Sequence, residues 1–259
     1  MEFNKLGVLV YSSMKTSTQS LVQTLHHNNI QTCFIHSLHD LVKKFPAQFL
    51  DTSLQQKKAI FLEHLDNYRT INNKKLKIIT VVRNPTDRQK SAFFQVHHNE
   101  EIKQNVLEEN TTVNKHNVDE LMNLFLTKIK NNTLAGNNES IDEISKLFDT
   151  DIISNLQNKN THYYYENKLV KLYVLDFNSV ISDNALNYLN TILNLKLTTY
   201  VGSNKSDSKS YYTKYKQFKE KCAFAEKKDT QIAAILRQRY NPFYFDAFVN
   251  TKEYISKTA

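Results

Sequence analysis

The run LKIITVV, Leu76 to Val82, constrains the fold of this chain more than any other stretch. Leu76, Ile78, Ile79, Val81 and Val82 fall on both alternating faces of a strand, so that strand has to be covered on both sides. The run stops at RNPTDRQKSAFFQ, Arg83 to Gln95. Asn84 can cap a following helix, Pro85 suits its first turn, and Asp87 sits where a capping box places its acid. On that helix Arg88, Ser91 and Gln95 fall at i, i+3 and i+7 and share a face. Arg83 stands at the carboxyl end of the strand, where open α/β sheets bind ligands. A cation at a strand end, a helix N-terminus and a hydroxyl one turn further in suit a phosphate group. The plain alternative is an ordinary strand-to-helix join with surface charges.

The rest of the chain repeats the alternation. Leu6 to Tyr11 reads as a first strand, SSMKTSTQS as a polar loop, and Leu21, Val22 and Leu25 as the apolar stripe of a helix. A second strand, Thr32 to Ile35, ends at His36. Helices are expected over 37–45 and 53–71, the latter with Ile60, Phe61, Leu65 and Tyr68 on one face. Strands alternating with helices predict an α/β fold with a central, mainly parallel sheet flanked by helices. The middle, about 97–150, is helical by pattern. Tyr163 to Tyr165 and Leu169 to Leu175 predict a hairpin about Glu166-Asn167-Lys168, and Ala185 to Leu193 another helix. The segment 203–210 has no periodicity and reads as a loop. Beyond it, about 209–250, come basic helices interleaved with aromatics. No repeat or linker interrupts residues 1–259, so one domain is expected.

Composition excludes some classes of function. With three glycines the chain has no glycine-rich dinucleotide loop, and turns must rely on Asn, Asp and Ser. Cys33 and Cys222 are too few for a disulfide framework or a cysteine zinc site. A formal net charge of +8 favours anionic partners, although Lys-rich, Asn-rich chains also arise from genome composition alone. No basic segment followed by a long apolar run opens the chain, so the expectation is a cytoplasmic protein without a membrane segment.

The loop after the first strand is the second anchor. Lys15 lies between strand and helix with Thr16, Ser17, Thr18, Gln19 and Ser20 beside it. Backbone N–H groups at a helix start, a lysine and hydroxyls together can cradle a phosphate or sulfate. The spaced glycines and Gly-Lys pair of a Walker A motif are absent. A capped helix preceded by a lysine is the simpler alternative.

Taken together, the Lys15 loop and the Arg83 motif resemble the phosphosulfate-binding elements of sulfotransferases that use 3′-phosphoadenosine 5′-phosphosulfate (PAPS). In that superfamily the later motif places a serine eight positions after its arginine, as Ser91 follows Arg83 here, and Arg88 matches a further common position. The chain is more specifically similar to a bacterial, sulfotransferase-like family of capsular polysaccharide synthesis proteins. That similarity rests on Arg83 to Gln95, on FDTDI (Phe148 to Ile152), and on the late pattern Asn204, Lys209, Tyr211, Tyr215 and Phe218. Ser17 stands where the first loop usually has glycine, and Met14 where it has proline or a small residue.

The resemblance implies a P-loop-like three-layer fold and transfer of a sulfuryl group from PAPS to a glycan hydroxyl. Lys15 would assist catalysis, and Thr16 to Ser20 would wrap the 5′-phosphosulfate. Arg83, Arg88 and Ser91 would hold the 3′-phosphate, with Lys209 and Tyr211, in and after the unpatterned loop, closing over the nucleotide. The acceptor proton needs a base, and His36, ending the second strand, is the candidate, with His39 one turn on. His97-His98 offers no third ligand, and no metal is expected. The basic late helix carries lysines and tyrosines but no recognised nucleic-acid module. The alternatives are a sulfotransferase-like binding protein without turnover, for which Ser17 speaks, and a nucleotide-dependent kinase on a P-loop-like scaffold.

Overall fold

The computed structural model describes residues 2–13, 16–37, 40, 53–107, 117–133, 139–202, 212–224 and 226–248, with side chains of 54, 97–107, 222–224 and 226–231 left aside. In chain order its elements are β1 (Val8–Tyr11), α1 (Thr18–His27), β2 (Thr32–Ile35), α2 (Leu54–Asn72), β3 (Leu76–Val82) and α3 (Pro85–Leu107). Next come α4 (Val118–Lys130), α5 (Ser140–Phe148), β4 (Gln157–Asn158), β5 (His162–Glu166), β6 (Val170–Asp176), α6 (Phe177–Ile181) and α7 (Ala185–Leu193). The chain closes with α8 (Tyr212–Phe224), α9 (Glu226–Arg237) and α10 (Phe243–Asp246). Most bounds lie within a residue or two of those expected from periodicity; β4, α6 and α10 are too short to carry a readable pattern. The helix expected over 37–45 and the loop over 203–210 fall outside the described residues, apart from Ser37 and Asp40.

The chain divides into two compact units, one of residues 1–82, 138–203 and 250–259, the other of residues 83–137 and 204–249. The first is built on a mixed six-stranded sheet of order β2-β1-β3-β6-β5-β4. β2, β1, β3 and β6 run parallel, while β5 and β4 are antiparallel at one edge. The change of direction has a local cause. Asn167 Oδ1 accepts from the N–H groups of Leu169 and Val170, closing a turn too short for a parallel crossover.

Alternation along the strands assigns each face of this sheet. Val8, Val10, Ile79 and Val81 join Leu21 and Leu25 of α1, Val180 of α6 and Leu189, Ile192 and Leu193 of α7 in one apolar cluster. Tyr11 and Thr80 point the other way, where the Tyr11 hydroxyl donates to Glu143 (2.6 Å) and Thr80 Oγ1 meets Ser140 Oγ at 2.5 Å. α2 is tied to the strands by Tyr68, whose hydroxyl donates to the Leu6 carbonyl (2.9 Å). The expected α/β architecture, a mainly parallel sheet flanked by helices, is therefore present.

The second unit is helical. Its core is a ring cluster in which Phe93, Phe94, Phe125 and Phe218 lie 4.8 to 6.0 Å apart between centroids. Arg239 ties α4 to the end of α9, donating to the carbonyls of Ile129 (2.5 Å) and Lys130 (3.0 Å). These are carbonyls of the last turn of α4, where a cation also suits the helix dipole. Among the described residues no helix is long and apolar enough to cross a membrane.

Candidate functional site

In the first unit the chain reverses its direction of travel across the sheet between β1 and β3. From β1 it moves outward to β2, and from β3 it moves the other way to β6. Such a switch point opens a crevice at the carboxyl ends of its two strands, because the loops that follow them diverge. The β1–β3 ladder runs from Val8 opposite Lys77 to Val10 opposite Ile79. Beyond it a side chain replaces the backbone: Ser12 Oγ accepts from the Val81 N–H (3.1 Å) and donates toward the Val81 carbonyl (3.2 Å). The strand ends stay satisfied although their backbones have separated.

The loop that follows β1 is organised by hydroxyl protons. Thr16 gives its single proton to the Ser13 carbonyl (2.7 Å). Its oxygen is therefore the acceptor for Thr18 (3.0 Å) and Ser12 (2.8 Å). Ser12 thus divides its proton between Thr16 and Val81. Ser20 is engaged too, its hydroxyl bonding Tyr200. Thr16, Thr18 and Ser20 are buried, whereas Ser17 is half-buried and Gln19 exposed. Ser17 adopts φ 56°, ψ 26° and makes no side-chain cap on α1. Its backbone thus takes the left-handed conformation that glycine adopts most cheaply, at a cost of about 1 kcal/mol or more for serine. Among the described residues, what this loop has available for an anion is backbone N–H groups at the start of α1, with Ser17 and Gln19 beside them; the buried hydroxyls hold the loop itself.

His36 follows β2 and joins the same network. Its Nδ1 lies 2.8 Å from the Ser12 carbonyl. A carbonyl only accepts, so Nδ1 is the donor, and the neutral ring has its lone pair at Nε2. The backbone N–H of His36 donates to Asp40 (2.9 Å), and Phe34 packs edge-on against the ring at 4.3 Å. The imidazole is fixed in orientation and in tautomer.

Periodicity marked the helix of α5 but gave no role to Glu139 and Ser140 at its start. Glu139, 5% exposed, accepts from Ser13 Oγ (3.1 Å), and Ser13 Oγ accepts from the Ser140 N–H (3.0 Å). A buried carboxylate thus stands against the loop after β1. Its only sequence mark is an acid just before an amphipathic helix, which reads as helix-dipole compensation.

In the second unit, Arg83 is the residue directly after β3. Asn84 opens α3 as expected, its Oδ1 accepting from the Thr86 N–H (2.9 Å). Ser91 lies two turns into the helix, and both Arg83 and Ser91 hydrogen-bond the hydroxyl of Tyr215 on α8. Burial pushes the Tyr215 phenol above its ordinary value; Arg83 and Ser91 pull the other way and Asp87 adds to the rise. Arg88 faces elsewhere from this oxygen's partners. It is 1% exposed, with its guanidinium 5.5 Å from the centre of the Tyr240 ring, and the Tyr240 hydroxyl accepts from Gln89 Nε2 (2.8 Å).

Of the residues chosen from sequence, Thr16, Ser17, Thr18, Gln19, Ser20 and His36 gather at the switch point of the first unit. Arg83 and Ser91 are brought together in the second, and Arg88 packs into its interior. Lys15, Met14, His39, Asn204, Lys209 and Tyr211 lie outside the described residues, as do the side chains of His97 and His98. Among the described residues no three His, Cys, Asp or Glu side chains group as metal ligands. Asp176, the acid that ends β6, caps α6 by accepting from the Ser179 N–H and hydroxyl (both 3.1 Å). No family model, no curated protein and no solved structure matches this chain.

Proposed function

We propose that this protein is a PAPS-dependent sulfotransferase on a P-loop-like scaffold, acting on a hydroxyl of a glycan such as a capsular or other surface polysaccharide or its precursor. One observation carries the reading. The two motifs similar to phosphosulfate-binding elements directly follow β1 and β3, the adjacent parallel strands of the switch point. A switch point is where open parallel sheets bind ligands, independently of any family.

The residues fit the donor in three respects. The loop after β1 takes a left-handed conformation at Ser17, of the kind in which successive backbone N–H groups can face an anion. Arg83 and Ser91 converge on one oxygen atom, that of Tyr215. His36 uses Nδ1 to donate to the Ser12 carbonyl, which leaves Nε2 as the acceptor of the neutral ring.

PAPS supplies a sulfuryl group already activated as a mixed anhydride with phosphate. In this reading the acceptor oxygen forms a bond to sulfur as the bond from sulfur to the bridging phosphate oxygen breaks. The acceptor proton passes to His36 Nε2. Lys15 would neutralise the bridging oxygen, the α1 N–H groups would hold the sulfate, and Arg83 would fix the 3′-phosphate with Ser91. Arg88 would act on that site only through α3, the helix that carries Ser91.

A second reading, binding without turnover, is favoured by Ser17, whose Cβ adds bulk where a glycine leaves none, and by the internal engagement of Thr16 and Thr18. Transfer of radiolabelled sulfate from PAPS to a mixture of bacterial glycans separates the two. The sulfotransferase reading expects labelled glycan that disappears in Lys15→Ala. Stabilisation by adenosine 3′,5′-bisphosphate without any transfer favours the second reading. No stabilisation by millimolar bisphosphate in a melting assay would sink both.

A further inference from the structure

Tyr215 lies on α8, a lysine-rich helix, yet it is only 4% exposed. One turn on, Phe218 anchors the aromatic core of the second unit, and the Tyr215 ring packs on Phe94 with centroids 5.1 Å apart. The ring is thus held by packing, and its hydroxyl is delivered to Arg83 and Ser91. Lys219 places its Nζ 4.6 Å from the ring centre. Two cations and a hydroxyl therefore surround one phenol, with Asp87 the acid nearby.

A guanidinium only donates, so the phenol oxygen is the acceptor of the Arg83 bond. An anion that takes the Arg83 and Ser91 bonds has to sit next to that oxygen, because both groups already reach it. Beside an anion the phenol cannot remain an acceptor without repulsion. It has one proton of its own, and turning that proton toward the anion converts the group into a donor. Lys219 over the ring face strengthens that donor.

We infer that Tyr215 is a ligand-binding residue, the third hydrogen-bonding group of a phosphate-monoester subsite formed with Arg83 and Ser91. This rests on the sulfotransferase reading in one respect, that the monoester is the 3′-phosphate of the donor nucleotide. Tyr215 then contributes to discrimination between 3′-phosphorylated adenosines and those with a free 3′-hydroxyl.

The test is calorimetric titration of the full chain at low temperature with adenosine 3′,5′-bisphosphate and with adenosine 5′-phosphate. Tyr215→Phe keeps the ring against Phe94 and removes only the hydroxyl. The expected result is a loss of about tenfold or more in bisphosphate affinity, the usual size for a hydrogen bond to a charged group, with 5′-phosphate binding unchanged. Equal bisphosphate affinity in wild type and variant overturns the inference while leaving the sulfotransferase reading in place. Wild-type protein with no preference for the bisphosphate overturns both. A second measurement serves if Tyr215→Phe folds poorly: in wild-type protein carrying 13Cζ-tyrosine, the bisphosphate shifts a tyrosine signal that adenosine 5′-phosphate leaves in place. Identical spectra with the two nucleotides also overturn the inference.

Discussion

Ser12 and Val81 pair through a side chain where the ladder between β1 and β3 has ended, the Ser12 hydroxyl meeting both the N–H and the carbonyl of Val81. The hydroxyl keeps two separating strand ends satisfied in a buried setting, at the point where the candidate crevice begins.

Removal of that hydroxyl strands the Val81 N–H. Ser12→Ala is expected to destabilise the protein by about 1–3 kcal/mol, the cost of a buried unsatisfied group. Urea denaturation measures it. A loss of a few tenths of a kcal/mol would mean that the bridge is dispensable.

Ser17 holds a left-handed backbone at φ 56°. Ser17→Gly is expected to gain about 0.5 kcal/mol, relief of backbone strain outweighing the added freedom of the unfolded chain. Ser17→Val, β-branched, is expected to lose more than about 1 kcal/mol. The same denaturation series reads both, and an unchanged midpoint for Ser17→Val would show that the loop relaxes into another conformation.

The Ser12 carbonyl dictates the tautomer of His36. Nitrogen-15 spectra of the histidine rings should show the neutral form of His36 as the Nδ1–H tautomer. If His36 is the base, His36→Ala lowers sulfuryl transfer by about 10²–10⁴-fold and leaves nucleotide binding as it was. Weakened nucleotide binding with unchanged turnover would assign the ring to structure instead.

His64 and His162 titrate below the ordinary 6.5, in both cases chiefly because burial disfavours the charged ring; Glu63 opposes the shift at His64 and Lys159 adds to it at His162. With folded-state values depressed, the unfolded chain binds more protons between the two values. The stabilisation is therefore complete above 6.5 and is lost as pH falls through the folded values. Melting temperature should drop on acidification below that point, and less steeply in His64→Gln/His162→Gln. Parallel pH profiles for the two proteins would remove these histidines from the account.

Periodicity and capping are local signals, and they determined much of this molecule. The buried runs Leu76–Val82 and Thr32–Ile35 stand as strands where their patterns place them, and Asn84 opens α3. The turn chemistry of Asn167 fixed the hairpin, and the alternation of strands with helices fixed the class of fold. The eight-residue interval that resembles the sulfotransferase motif also marked Arg83 and Ser91 as a pair.

What only the tertiary structure decided are the bonds between residues far apart in sequence. Nothing near Ser12 announces Val81, nothing near Ser13 announces Glu139, and nothing near Tyr215 announces Arg83 and Ser91. Each depends on which elements pack together, and a single hydrogen bond leaves no periodic trace. The same limit governs the loop after β1. Its hydroxyls read from sequence as groups for a ligand, whereas packing buries Thr16 and Thr18 against each other. Composition names the available donors; only the fold decides where each proton goes.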